Sequence, residues 1–193
     1  MSLLTNLNLR FSFLGITETW LQDSSHNSNF PGYRFIHKHS TDTSGEVVGL
    51  YLADSLEFKW GSDISFSSDE TAEAFFVKVN RPKERNLFVS VIYRPPKQSL
   101  QEVINDLDLL ITRISEENKK CYIMGDWNIN LMKHQSHDKT GECLDIMFSR
   151  SFFSLISRPT KITSNSATLI DNSGTSARAS RARAWSSILK RKW

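Results

Sequence analysis

Two polar side chains directly after an apolar run could do chemistry on a phosphate. The run over residues 121–124 ends at Gly125, and Asp126 and Asn128 follow two residues apart. If the run is a buried strand, alternation directs both side chains to one side where the strand leaves the sheet. A carboxylate there can position a water, and an amide can hold a phosphate oxygen. Because Gly, Asp and Asn are ordinary turn residues, this segment taken alone favours an Asx-type turn.

Three other predicted strands also finish at a residue that can take part in catalysis. Each of these residues has a simpler explanation of its own: an exposed carboxylate, a core tyrosine with a hydrated hydroxyl, and a plain turn. Polar side chains at four separate strand ends are nonetheless more than turn propensity usually produces. Such ends are the usual place for chemistry in layered α/β proteins. The additional residues are Glu18 after residues 11–17, Tyr93 at the end of residues 87–93, and Asp171 after residues 167–170.

The apolar pattern predicts the elements that must position these residues. From Leu100 to Ile114, apolar residues recur at spacings of three and four, which predicts an amphipathic helix. Ser99 and Glu102 form a capping-box pattern at its start. A shorter helix is predicted over residues 142–149. Strands are predicted over residues 11–17, 33–38, 47–53, 74–79, 87–93, 121–124, 152–157 and 167–170. Since a long helix joins two of many strands, we predict a mixed α+β protein with packed sheets and helices outside.

Composition indicates one folded intracellular domain. With 193 residues, 39% of them hydrophobic, the chain is long and apolar enough to bury a substantial core. Cys121 and Cys143 are the only cysteines, too few for a disulfide framework, so a reducing compartment is expected. No apolar stretch near the start has the length of a membrane span or is followed by a signal-peptide cleavage pattern.

Charge divides the chain near residue 173. The net charge is +3, yet the tail has no acidic residue and contributes +6, which leaves the body at −3. Such a tail could bind nucleic acid by neutralising phosphates without reading sequence. A disordered end without function, rich in Arg, Ser and Ala, is the alternative that we prefer. We therefore predict a folded domain over residues 1–172 and a disordered basic tail over 173–193. The basic residues of the tail are Arg178, Arg181, Arg183, Lys190, Arg191 and Lys192.

Short words of sequence around the polar residues occur in an order that identifies a known superfamily. In this order they resemble the endonuclease/exonuclease/phosphatase (DNase I-like) superfamily. More narrowly, the chain is similar to the endonuclease domain of non-LTR (LINE-type) retrotransposon polyproteins. The resemblance runs from about Leu7 to Asn172. It is specific because these words occur together and in this order, although each word alone would be weak. The words are Thr17-Glu-Thr-Trp-Leu21, Tyr93-Arg-Pro-Pro96, Gly125-Asp-Trp-Asn128, Pro159-Thr160 and Thr168-Leu-Ile-Asp-Asn172.

The resemblance implies a fold, a reaction and a cofactor. The fold is a four-layered α/β sandwich, in which two mostly antiparallel sheets pack face to face with helices outside. The reaction is hydrolysis of phosphodiester bonds in DNA with a divalent metal, Mg²⁺ or Mn²⁺. A protein that acts in this way on genomic DNA would be nuclear.

The resemblance also implies roles for individual residues. Glu18 would bind the metal, which would act on the phosphate as a Lewis acid. Asp126 would orient or deprotonate the attacking water, and Asn128 would hold that water or a phosphate oxygen. Tyr93 would donate its hydroxyl to the scissile phosphate, or supply a phenolate that helps to stabilise developing charge. Asp171 matches an aspartate that orients a catalytic histidine.

Thr168 is a further position at which the resemblance implies contact with phosphate.

Two parts of the family pattern are missing, so we expect a sandwich that is incomplete at both ends. The opening strand carries an asparagine in the family, and Asn6 and Asn8 are no substitutes. The family closes with a Ser-Asp-His segment, whereas the basic tail follows Asn172 here. None of the histidines is a plausible replacement: His26, His37, His39, His134 and His137.

Three functions are compatible with these observations. The first is a DNA endonuclease of retrotransposon type, impaired because loss of one charge-stabilising group is often worth about 10²–10³ in rate. The second is a non-catalytic remnant of such a domain. The third is a phosphatase of the same fold that acts on a small phosphorylated molecule or a lipid. The words around Glu18 and Tyr93 match the retrotransposon branch better than the phosphatases.

Overall fold

The computed structural model describes residues 10–19, 30–37, 48–61, 72–81, 85–116 and 118–176. Most of the predicted basic tail, from residue 177 onward, lies outside these ranges, as do Trp20 and Leu21 of the first sequence word. The strands are β1 Phe13–Ile16, β2 Tyr33–His37, β3 Gly49–Ala53, β4 Glu57–Trp60, β5 Glu73–Asn80, β6 Leu87–Tyr93, β7 Lys120–Asp126, β8 Phe152–Ser154, β9 Lys161–Ile162, β10 Ala167–Thr168 and β11 Asp171–Ser176. The helices are α1 Leu100–Glu116, α2 Asp138–Ser149 and a short 3-10 helix, Leu131–Lys133.

Two sheets pack face to face, and the helices cover the outer face of the larger one. The larger sheet has the order β4-β5-β6-β7-β11-β8, and only β6 and β7 run parallel among its described neighbours. The smaller sheet has the order β1-β3-β2 and is antiparallel. Leu50 and Leu52 of the smaller sheet share a core with Val89 of the larger one. The predicted mixed α/β sandwich is therefore confirmed.

Helix α1 connects the carboxyl end of β6 with the start of β7 and packs on the larger sheet. Its apolar stripe packs on the far face of the larger sheet, where Ile104 and Ile111 share a core with Ile123. The predicted cap is present, since the Glu102 amide donates to Ser99 Oγ at 3.4 Å. Because β6 and β7 are parallel, their carboxyl ends meet at the same edge of the sheet.

A very close approach between the sheets occurs at Gly15 in β1. A Cβ atom there would lie 2.8 Å from Met124 Sδ and 3.2 Å from Val91 Cγ2. Phe13 extends the same contact, since its ring lies 5.5 Å from that of Tyr122, centroid to centroid. Glycine thus lets β1 press onto β6 and β7 three residues before Glu18, so the two sheets deliver their polar strand ends to one place.

The end of the described chain differs from the sequence-based expectation. The predicted strand over residues 167–170 is only the two-residue β10, which pairs with β9 in a hairpin. The strand that follows, β11, runs from Asp171 to Ser176 between β7 and β8, so the domain boundary predicted at Asn172 falls inside it. Its sequence, Asp-Asn-Ser-Gly-Thr-Ser, is too polar to resemble a strand. Its position depends on packing instead. Gly174 lies so close to Phe152 of β8 that a Cβ atom there would be 2.3 Å from the ring.

Strand β4 was also missed. It is a four-residue edge strand whose residues are mostly exposed, so it has little apolar alternation.

Among the helices that the structure describes, none is both long and apolar enough to cross a membrane.

Candidate active site

Three of the predicted residues form a row at one edge of the larger sheet. Tyr93 ends β6 opposite Asp126, which ends β7. Asp171 also lies opposite Asp126, from the other side. Neighbouring strands are about 4.8 Å apart, and residues that pair directly project from the same face. That face is the one turned toward the smaller sheet, because Tyr93 shares its core with Leu50 and Leu52.

Asp171 reaches this row in a different way from the one predicted. It was expected to follow a strand, but it is the first residue of β11. Since β11 runs antiparallel to β7, its beginning meets the end of β7. The prediction of a strand end was wrong, yet the residue still lies at the same edge of the sheet.

Glu18 joins the row from the smaller sheet. The Tyr93 hydroxyl donates to Glu18 Oε1 at 3.1 Å, across 75 positions of sequence. Glu18 has a φ of +55°, a left-handed conformation that costs roughly 1–2 kcal/mol for a residue other than glycine. Strain of this kind persists only where the surrounding structure determines it, and it is concentrated at functional sites. The structure therefore holds this carboxylate on Tyr93 at some cost in backbone energy.

Asn128 is positioned by an Asx turn that begins at Asp126. The Asn128 amide donates to Asp126 Oδ1 at 3.0 Å, which is the turn that the sequence alone favours. Asn128 has a φ of +49°, a conformation that asparagine tolerates better than most residues. Its side-chain amide donates to the Arg94 carbonyl oxygen at 2.7 Å. The turn and the predicted site are thus compatible, because the turn is what brings Asn128 back toward the end of β6.

Gly125 makes this arrangement possible. Its φ is +143°, and a Cβ atom there would lie 1.7 Å from the carbonyl oxygen of Ile92. No side chain fits in that space, because the obstructing atom belongs to the backbone of β6. Glycine therefore allows β7 to bend against β6 directly before Asp126.

Thr168 is connected with the row only indirectly, through Thr160. The Thr160 amide donates to the Thr168 carbonyl at 2.9 Å, and the Asp171 amide donates to Thr160 Oγ1 at 3.2 Å. The Thr168 hydroxyl has no hydrogen-bond partner among the residues that the structure describes. Of the six predicted site residues, Thr168 is thus the one that the structure does not join to the rest. Its contact with phosphate stays a prediction.

The sequence reasoning missed Arg94, which holds the turn from the side of β6. Its Nε donates to the Trp127 carbonyl at 2.8 Å, and its Nη2 donates to the Asn128 carbonyl at 2.6 Å. Burial lowers the pKa of Arg94, and the nearby Asp126 carboxylate opposes this shift. The guanidinium stays charged, since arginine is not deprotonated in proteins. Arg94 stands inside a sequence word that carries the resemblance, but nothing in the pattern marks it as buried.

Two asparagines hold the same segment from the side of β11. Asn130 Oδ1 accepts from the Leu169 amide at 3.0 Å and from the Met132 amide at 3.2 Å. Asn172 Nδ2 donates to the Ile129 carbonyl at 3.1 Å. The sequence analysis gave neither of them a role of its own. They instead fix the position of the Asp126 turn relative to β11.

The acidic groups of the row are suited to a hard divalent cation. Asp126 is 0% exposed and Asp171 is 7% exposed, and they face each other across β7 and β11. Like charges placed directly opposite are destabilising, and the Arg94 guanidinium near Asp126 offsets part of this repulsion. In the described ranges, no three acidic, histidine or cysteine side chains converge closely enough to hold one ion. Mg²⁺ accommodates this, because it commonly uses one or two carboxylates and completes its shell with water and phosphate oxygens.

The histidines that the structure describes lie elsewhere. His37 is on β2, where its ring stacks on Phe35. His134 and His137 flank the segment between the 3-10 helix and α2, and their rings bind the Leu131 carbonyl and the Thr140 hydroxyl. His26 and His39 fall outside the described residues.

Comparison with known proteins shows which fold this is. No protein-family model matches the chain, and no relative was found among curated proteins. Among solved structures, the endonuclease domain of TRAS1, a telomere-specific non-LTR retrotransposon, superposes with a TM-score of 0.65 at 12% identity. That match covers 89% of this chain and 74% of the TRAS1 chain.

The chain has the DNase I-like fold of the endonuclease/exonuclease/phosphatase proteins. An AP endonuclease from Archaeoglobus fulgidus shares it, with a TM-score of 0.59 at 12% identity over 92% of this chain and 80% of the other. So does a mannosyl-6-phosphatase from Bacteroides thetaiotaomicron, with a TM-score of 0.56 at 15% identity over 91% and 74%. The DNase I-like fold thus carries different activities, and identities this low establish the fold alone.

Proposed function

We propose that this domain hydrolyses phosphodiester bonds in DNA with a divalent cation, as an endonuclease of the retrotransposon type. The observation that supports this most is the hydrogen bond from Tyr93 to Glu18. It joins the two sheets at the edge where Asp126 and Asp171 lie in register. Polar groups at the ends of four separate strands thereby lie at one edge of the two sheets, which is an arrangement suited to binding and turning over one phosphate group.

In this proposal Glu18 holds the cation, Mg²⁺ or Mn²⁺, through hard oxygen donors. When bound, the cation supplies Lewis acidity at the phosphate and neutralises part of the charge of the row. Tyr93 donates its one hydroxyl proton to Glu18 in the free protein and, with substrate present, to a phosphate oxygen instead. Asp126 orients the attacking water and accepts its proton, and Asn128 holds the water or the neighbouring phosphate oxygen.

Asp171 contributes negative charge beside Asp126 and would orient an imidazole if a histidine were supplied to it. Because no histidine of the described part joins the row, we expect slow turnover in this chain. The sequence words around Glu18 and Tyr93 support DNA as the substrate, and action on genomic DNA would place the protein in the nucleus.

Nicking of supercoiled plasmid tests the proposal. We expect the chain to convert supercoiled DNA to open circles with Mg²⁺ and not with EDTA. Removal of a positioned base or of a metal ligand should lower the rate by about 10²–10⁴. The variants are Glu18→Gln and Asp126→Asn, each isosteric with the native residue. Their matched controls are Glu57→Gln on β4 and Asp145→Asn on α2, both at exposed positions away from the row.

Each outcome of this assay has one meaning. Mg²⁺-dependent nicking that only the two site substitutions abolish supports the endonuclease. Nicking that survives both substitutions comes from a contaminant. A folded chain that neither nicks DNA nor hydrolyses p-nitrophenyl phosphate is a non-catalytic remnant. If a chain that does not nick DNA hydrolyses p-nitrophenyl phosphate in a Glu18-dependent way, it is a phosphatase.

A further inference from the structure

Arg94 is a buried charged side chain whose hydrogen bonds in the described part of the chain all go to main-chain oxygens. It is 5% exposed and directly follows Tyr93. Nε and Nη2 bind the carbonyls of Trp127 and Asn128, and Nη1 binds the carbonyl of Gln98 at 2.8 Å. These acceptors come from two segments, the loop after β6 and the turn after β7. One guanidinium therefore ties the two parallel strand ends together beyond the point where their ladder stops.

The contact between Arg94 and Asn128 is reciprocal. The Arg94 guanidinium donates to the Asn128 carbonyl at 2.6 Å, while the Asn128 side-chain amide donates to the Arg94 carbonyl at 2.7 Å. The Arg94 amide also donates to the Asp126 carbonyl at 3.0 Å. Asn128 has a left-handed φ, and a strained residue keeps its conformation only when its surroundings over-determine it. These bonds supply that constraint at the predicted site residue itself.

Burial of a charge is costly, and water could satisfy carbonyl oxygens without that cost. Arginine offers something that water lacks: a planar group with five donors in fixed directions, which holds several acceptors in one geometry. Its charge also lies close to the Asp126 carboxylate, although its donors are directed at carbonyls. The side chain is thus built to fix a backbone conformation rather than to meet a ligand.

We propose that Arg94 is the positioning residue of this site, which sets turnover by holding the turn at Asp126 and Asn128 in register with Tyr93 without touching substrate or cation. The kinetic part of the proposal rests on the function proposed above, whereas the geometric part does not.

The geometric part is tested by residue-resolved hydrogen exchange on the full chain. The Asn128 amide bonds to Asp126 Oδ1, and the Trp127 amide bonds to the Ile170 carbonyl at 3.2 Å. In Arg94→Met both amides should exchange at least ~10-fold faster, since the loss of ~1.4 kcal/mol of local stability changes an equilibrium by that factor. The control is Arg150→Met at the opposite end of the sheet, where Arg150 is 3.9 Å from Asp108. It should leave both amides unchanged.

Arg94→Lys separates geometry from charge and serves if Arg94→Met does not fold. Lysine keeps the positive charge but has no planar fork, so it can bind one carbonyl well but not the whole set. We expect the Asn128 amide to exchange faster in Arg94→Lys as well. Native exchange of Asn128 in a folded Arg94→Lys chain would show that charge alone suffices, and it would overturn the proposal.

The kinetic part is tested by kcat and KM for plasmid nicking. A misplacement of about 1 Å can cost on the order of 10² in rate, so kcat should fall by that factor in Arg94→Met while KM changes less than twofold. A raised KM with native kcat would make Arg94 a DNA-binding residue and would overturn the proposal. If the native chain does not nick DNA, the proposed function and the kinetic part fail together, and the exchange result still decides the geometric part.

Discussion

Replacement of Gly125 by alanine tests the geometry of the site at its most constrained point. The added Cβ atom would lie 1.7 Å from the Ile92 carbonyl oxygen, whereas ordinary contact begins at 3.4 Å. One of the two strands must therefore move by more than an ångström. Both strands are held in place by the hydrogen bonds of their shared ladder. The movement would carry Asp126 and its turn away from Tyr93.

The cost can be assembled from two contributions. A left-handed φ for alanine costs roughly 1–2 kcal/mol. Two weakened ladder hydrogen bonds between β6 and β7 cost roughly 1 kcal/mol each. We therefore expect a loss of about 3–4 kcal/mol in the free energy of unfolding. For a chain of this size, that corresponds to a fall in Tm of roughly 6–16 °C.

Thermal denaturation and plasmid nicking are the measurements, and Gly32→Ala is the matched control. Gly32 also has a positive φ, +85°, but a Cβ atom there meets nothing within 4 Å. It should show only the conformational cost and keep its nicking rate. Gly125→Ala should be less stable than this control and should lose about 10² in rate even where it is folded. Equal stability of the two variants would mean that β7 does not approach β6 as described.

Three further predictions follow from single contacts. Tyr93→Phe keeps the ring and removes one hydroxyl, so the free energy of unfolding should change by only about 1 kcal/mol. The nicking rate should fall by about 10²–10³. A fall in rate that is fully explained by a lower fraction of folded protein would make Tyr93 structural. Asn130→Ala removes the acceptor for two amides and should lower the free energy of unfolding by about 1–2 kcal/mol in urea denaturation; an unchanged midpoint would contradict this. Burial raises the pKa of the Cys121 thiol above its usual range and that of Cys143 to about 12. Both thiols should therefore resist Ellman's reagent at pH 8 until the chain is denatured, and stability should fall as the pH rises from 9 toward 12.

The parts of the fold that the sequence predicts well are those with strong local patterns. The bounds of β6 match the prediction because its seven residues are mostly β-branched or aromatic, with Pro95 close behind. Helix α1 follows its apolar stripe and its Ser99 cap. Strand β6 ends at the site and helix α1 begins shortly after it, which is why Tyr93 could be placed at a strand end from sequence.

The rest depends on contacts between distant segments. Strand β11 is polar, and it is a strand only because β7 and β8 flank it. The requirement for glycine at Gly125 arises from the Ile92 carbonyl, 33 positions earlier in the chain. Arg94 looks like a surface arginine until the carbonyls that it binds are known. Periodicity and propensity describe neighbours in sequence, so they carry no signal for these three cases.

Iron-directed cleavage would test the proposed cation site most directly. Fe²⁺ bound in place of Mg²⁺ generates hydroxyl radicals with ascorbate and peroxide, and these cut the backbone within a few ångströms of the metal. We expect cuts near Glu18, near Tyr93 and near Asp126, three segments far apart in sequence, all suppressed by excess Mg²⁺ and by Glu18→Gln. Cuts at only one of these segments, or cuts elsewhere that Mg²⁺ does not suppress, would show that the two sheets do not share one bound cation.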